Sequence, residues 1–262
     1  MGLFMFLVSF TASIVGAISG IGGGVIIKPV LDGAKILGVS SINFLASCTV
    51  LSMTVATLIR SRGSGVVLDK KISSTLAIGG IFGGFLGNLL FSQAVEWTGS
   101  EAAVGVSQYV ILILLTTGVL FFTLNKTRFT PRSVSSFPAT FAIGLALGGL
   151  AAFLGIGGGP VNIAVLYLFF AMDAKKAALN SIFIIFFSQV VNIGLTIASM
   201  SIPPFAPTNL LVMMAGGVTG GTIGPVISRK LSLRGVDILF SGVMGIIILI
   251  SVYNMVGFIS VL

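Results

Sequence analysis

The chain has 262 residues, 56% of them hydrophobic and 8% charged, with a mean hydropathy of +1.17. Soluble domains carry about 25% charged residues, so the composition excludes a soluble globular protein and leaves lipid to cover the apolar surface. The net charge of +8 does not argue for nucleic acid, because the basic residues sit in short stretches between apolar runs, where the positive-inside bias accounts for them.

About 20 apolar residues are needed to cross a bilayer. The first apolar segment, 3–31, is too long for one span and is interrupted at Gly20–Gly24. It lacks the basic flank of a signal peptide, and a similar segment recurs inside the chain, so it reads as structure. Segments 39–60, 72–94 and 103–124 follow, then a polar stretch at 125–136. A second interrupted segment, 137–172, is broken at Gly155–Gly159 and is followed by 177–200, 208–228 and 236–260.

The chain therefore repeats itself. Gly20-Ile-Gly-Gly-Gly24 returns as Gly155-Ile-Gly-Gly-Gly159 at an offset of 135. Leu45-Ala-Ser47 aligns with Leu179-Asn-Ser181 at an offset of 134, as Thr54 does with Ser188. Gly79-Gly80 and Gly83 to Gly87 align with Gly216-Gly217 and Gly220 to Gly224 at an offset of 137. Three matches in one order point to duplication, a signature of transporter folds. The expected organisation is a first membrane repeat over 1–125, a cytoplasmic linker over 126–136 and a second membrane repeat over 137–262.

Charge selects the topology. If every segment is a single span, the fourteen Lys and Arg divide seven to seven and specify no orientation. If each glycine cluster is a turn, each half has five helices and the halves are inverted. Arg60 to Lys71, Lys126 to Arg132, Lys175, Lys176 and Arg229 to Arg234 then face one compartment, twelve of the fourteen. The opposite loops, "VEWTGSEA" (95–102) and "SIPPFAPT" (201–208), carry no Lys or Arg. The basic side is cytoplasmic by the positive-inside bias. The expected fold is an all-α polytopic membrane protein of two inverted repeats, each a broken re-entrant-like hairpin with a Gly-rich turn plus three transmembrane helices.

Helices that stop inside a membrane leave N–H groups unpaired, which survive only against protein or a wet cavity. Each turn precedes a helix start, at Val25 and at Pro160, and each such start carries roughly half a positive charge. Two starts and exposed glycine amides make an anion site. On this reading Gly20, Gly22, Gly23, Gly24, Gly155, Gly157, Gly158 and Gly159 bind substrate. The competing reading is close helix packing, which also fits Gly79–Gly87 and Gly216–Gly224. Lys28, one turn beyond the first cluster, either snorkels to the surface or lines the anion path. Ser47 and Ser181, on the helices after the two hairpins, and Asn162, just after the second turn, are further candidates. Asn43, Asn88, Ser188, Gln189 and Asn192 add polar groups there, although interhelical hydrogen bonding accounts for any of them equally well.

The six acidic residues, Asp32 among them, fall at segment ends or in loops, so the sequence offers no intramembrane carboxylate for proton coupling. There is no histidine and a single cysteine, Cys48. Ser-His and Cys-His arrangements, an internal disulfide and the usual metal ligand, histidine, are excluded. No cofactor, metal or catalytic site is expected, and the oligomeric state is open.

The paired "GIGGG" motifs, each followed by a polar "LAS" or "LNS" helix and a glycine-rich helix, resemble the TauE/SafE sulfite exporter family over nearly the whole chain. The resemblance implies a permease of the cell (inner or plasma) membrane for small sulfur-containing anions such as sulfite and organosulfonates. It implies neither the direction of transport nor a coupling ion. The expected partners are a small anionic substrate and the lipid bilayer, with no nucleic acid; a passive anion channel on the same scaffold is the alternative.

Overall fold

The computed structural model describes residues 1–62, 65–156 and 158–260. Among them are ten α-helices and no strand: α1 (Gly2–Ser19), α2 (Gly24–Ala34), α3 (Val39–Ser61), α4 (Lys70–Thr98), α5 (Glu101–Leu124), α6 (Phe137–Leu154), α7 (Gly159–Phe170), α8 (Ala174–Ala198), α9 (Pro207–Lys230) and α10 (Leu233–Ile259). Eight of the ten are long and apolar enough to cross a membrane. The exceptions are α2 and α7, of 11 and 12 residues. At 1.5 Å per residue they rise about 16–18 Å, little more than half of a 30 Å hydrocarbon layer.

Local chemistry sets the boundaries. Asp69 and Asp173 cap α4 and α8 by accepting from Ile72 N, and from Lys175 N and Lys176 N. Ser100 and Ser232 cap α5 and α10 in the same way. Two of the acidic residues at segment ends are thus helix caps. α1 stops at Gly20 (φ 77°) and α6 at Gly155 (φ 65°), both in the left-handed conformation that glycine adopts without a Cβ penalty.

α2 turns back along α1. A β-carbon on Gly23 would lie 3.4 Å from Ser13 Oγ, and Met5, Ala12, Ile27 and Leu31 share one core cluster. The junctions carrying most of the positive charge gather at one end of the bundle. There Arg229 Nη2 donates to Arg60 O at 2.9 Å, and Asn180 Oδ1 accepts from Asp69 N at 2.9 Å. Arg132 N and Val134 N, in the stretch after α5, donate to Leu168 O and Phe169 O, and Lys126 pairs with Asp237.

The tightest helix crossings use the glycine stripes. On α4, Gly79, Gly83 and Gly87 lie against the backbone of α6 around Phe141, Leu145 and Gly149, with Gly144 and Gly148 answering from α6. On α9, Gly216, Gly220 and Gly224 lie against Phe6, Phe10 and Ile14 of α1, while Gly217 and Gly221 meet Thr49 and Met53 of α3. For these glycines the packing explanation holds.

Candidate substrate pathway

The two glycine turns meet. A β-carbon on Gly24 would lie 2.9 Å from Ile156 O, and one on Gly159 would lie 2.5 Å from Val25 Cγ2. The junction is at mid-depth, since Gly22 and Gly24 face Val50, halfway along α3, and Gly22 also faces Ile185, halfway along α8. Each turn also reaches into the helix that follows the other hairpin. Gly20 packs on Ala178 of α8, and Gly155 packs on Asn43 of α3. Gly157 lies outside the described residues.

Two pockets approach this junction. The larger, of about 190 Å³, is lined by Asn43, Ser47, Asn88, Asn192 and Gly155 and reaches Ser201 and Pro203 between α8 and α9. The smaller, of about 120 Å³, is lined by Ala17, Thr57, Ala178 and Pro225, with Lys175 and Arg229 at the basic end. Each of the eleven residues lining the smaller pocket has a counterpart in the larger, at an offset of 135 or 137. Ala17 answers Ala152, Thr57 answers Asn192, Lys175 answers Ser40, Ala178 answers Asn43, Pro225 answers Asn88 and Arg229 answers Ser92. The pockets are repeat-related in position and different in chemistry.

This register is one residue away from the match of Leu45-Ala-Ser47 with Leu179-Asn-Ser181, and the two serines part company accordingly. Ser47 lines the larger pocket and accepts from Asn192 Nδ2 at 2.9 Å, while Asn88 Nδ2 donates to Asn192 Oδ1 at 3.1 Å. Three helices thereby share one polar chain. Ser181 instead donates to Gly20 O at 2.7 Å and is fully buried. Asn162 folds back on the second turn, its Nδ2 at 2.6 Å from where a β-carbon on Gly158 (φ 108°) would stand. Of the twelve candidates, Ser47 and Gly155 line the larger pocket and the remaining described ones form or brace the turns.

Lys28 does not snorkel. It is 2% exposed, and its Nζ donates to Gln108 Oε1 at 2.8 Å and to Leu154 O at 2.9 Å. Gln108 Nε2 donates to Phe153 O at 2.6 Å. Lys28 and Gln108 thus serve the carbonyls that α6 leaves unpaired at its end, where a cation is also favoured by the helix dipole. A correction concerns Asp32. It is buried among α2, α5 and α10, its Oδ2 accepting from the Tyr109 hydroxyl, so a carboxylate does lie inside the bundle. The sequence reading put it at a segment end because α2 stops two residues later. Gln108, Tyr109 and Asn254 were missed altogether, each standing in an apolar run with no pattern around it.

Each turn joins the negative end of one helix to the positive end of the next. Lys28, Gln108 and Ser181 take up the carbonyl ends, which leaves the amide ends of α2 and α7 less opposed. A bundle of membrane-spanning helices with broken pairs meeting at its centre, reached by pockets from both ends, has the make-up of a transporter. Residues 5–251 match the family described as Sulfite exporter TauE/SafE, and the chain belongs to that family. It is accordingly a multi-pass protein of the cell membrane from a family of transporters, not of enzymes. No curated protein and no solved structure matches the chain.

Proposed function

We propose that the chain carries small sulfur-containing oxyanions, of the sulfite and organosulfonate kind, by alternating access to a site at the two glycine turns. The two halves are inverted in the membrane, so that what one half offers from outside the other offers from the cytoplasm. The observation that carries this reading is the residue-by-residue correspondence of the two pockets. A site approached by equivalent surfaces from opposite ends can close on one side as it opens on the other at little net cost in contacts. The polar chain Asn88, Asn192, Ser47 and the nearby amide ends of α2 and α7 suit an oxyanion. Lys175 and Arg229 at the basic mouth concentrate anions on the cytoplasmic side, where Ser40 and Ser92 stand at the other. That asymmetry favours loading from the cytoplasm, hence export.

The test is counterflow in proteoliposomes holding purified protein. Labelled sulfite or isethionate is expected to enter transiently against its own gradient, with saturation. Ohmic anion current without counterflow would replace the carrier with a channel. Exchange of carboxylates but of no sulfur oxyanion would overturn the substrate class.

A further inference from the structure

We infer that Asp32 binds the proton that travels with the anion, an inference that rests on the transport reading above. Asp32 lies one turn beyond Lys28 on α2 and is 7% exposed. Its Oδ2 accepts from the Tyr109 hydroxyl, which accepts in turn from Asn254 Nδ2 at 3.1 Å; that same amide donates to Pro29 O at 2.7 Å. Asp32 Oδ1 is buried and has no hydrogen-bond partner, and neither has Asn254 Oδ1. A carboxylate oxygen shut away from water without a donor is a costly arrangement unless it takes one up. A cavity of about 440 Å³, lined by Asp32, Asn254, Lys35 and Gly257, opens beside this carboxyl toward the end opposite the basic loops, the side on which a proton exported with the anion leaves.

The surroundings decide which cation. The charged or titratable groups facing Asp32 are Lys28 from α2 and Tyr109 from α5, with Lys35, just past α2, and Tyr253 on α10 along the cavity. The stretch from Leu37 to Val39 brings no charge to the cavity. A metal ion would need several oxygens and would stand close to the Lys28 ammonium. A proton needs one lone pair, which Oδ1 has.

The link to the anion runs through Lys28. Ionised Asp32 balances the ammonium, whose donors go to Gln108 Oε1 and to Leu154 O, next to Gly155 in the larger pocket. A proton passing from water to Oδ1 cancels the carboxylate charge and leaves the ammonium unbalanced beside the second turn. The protonated cluster therefore holds an anion more tightly. By reciprocity a bound anion holds the proton, and the two cross together.

Isethionate stays ionised between pH 5 and pH 8, so any proton taken up belongs to the protein. Its addition to unbuffered, detergent-purified protein with a pH indicator is expected to draw in about one proton per anion bound. Its dissociation constant is expected to fall by up to tenfold for each unit of pH lowered, the limit for one linked proton. Asp32→Asn, neutral like the protonated acid, is expected to lose the pH dependence and to stay near the low-pH affinity; Asp32→Glu is expected to restore the slope. Binding without proton uptake in the unmodified protein overturns the inference whether or not the variants fold. So does an unchanged pH slope in Asp32→Asn, or a requirement for sodium in place of protons. Failure of the unmodified protein to bind isethionate at any pH counts against the sulfonate reading on which the inference rests.

Discussion

Lys28 stands where α6 has run out of amide donors, and its ammonium is shared between Leu154 O and Gln108 Oε1. Lys28→Met strands both acceptors in the interior, at about 1–3 kcal/mol for each unsatisfied group. The expected outcome is a lower midpoint of thermal unfolding in detergent together with anion binding weakened about tenfold, a loss of 1.4 kcal/mol. Both are read on one purified sample. A normal midpoint with unchanged affinity would remove the lysine from both roles. The glycine turns were legible in the sequence because duplication wrote them twice. Lys28 was legible as an anomaly, but its partners were not. Gln108 sits eighty residues away in a helix with no other mark, and hydrogen bonds to main-chain carbonyls leave no trace in a sequence. Asp32 was misplaced for a related reason: a residue close to the end of a short helix lies deep when that helix starts from the middle of the bundle.

Among the helices, the glycine stripes separate two neighbouring positions sharply. A β-carbon on Gly83 would run into the backbone of Leu145, whereas one on Gly84 would find only Val191 Cγ1 at 4.0 Å. Gly83→Leu is therefore expected to abolish a monodisperse elution peak, as is Gly220→Leu, whose β-carbon would lie 2.5 Å from Phe10 O. Gly84→Leu is expected to elute normally. Equal damage at Gly83 and Gly84 would mean that α4 does not meet α6 along this stripe. Spacing of small residues announces that another helix comes close but not which one. Here the partners are α6 for α4 and α1 for α9. The helix list itself was legible to within a few residues, because apolar length and capping residues are local properties.

For the molecule as a whole, the gathering of basic junctions at one end and the inverted reading make a labelling experiment decisive. With Cys48 replaced, single cysteines placed within 96–100 and 202–207 are expected to react with an impermeant maleimide from outside, and those within 65–70 and 229–234 are not. Reaction at 65–70 and 202–207 from the same side would overturn the inverted arrangement. Sidedness should also show in rate. Lys175→Gln with Arg229→Gln removes the two cations at the smaller pocket. It is expected to raise KM for transport out of the cytoplasmic side several-fold, mostly at low salt, since screening weakens such steering. The correspondence of the two pockets was only partly legible beforehand. Side-chain identity changes at most of the paired positions, Asn43 to Ala178 and Asn88 to Pro225 among them, so what is retained is backbone position rather than chemistry.

The crossing of α1 with α9 has a consequence for how the molecule is made. Phe6, Phe10 and Ile14 find the glycines that receive them only at Gly216, Gly220 and Gly224, some two hundred residues further along the chain. α1 must therefore wait, its main chain uncovered by its final neighbour, until α9 has been synthesised. α4 is released much sooner, when α6 emerges. A nascent chain stalled before residue 207 holds a finished α4–α6 pair beside an unclaimed α1, and quality-control proteases are expected to remove it faster than a chain stalled after 230.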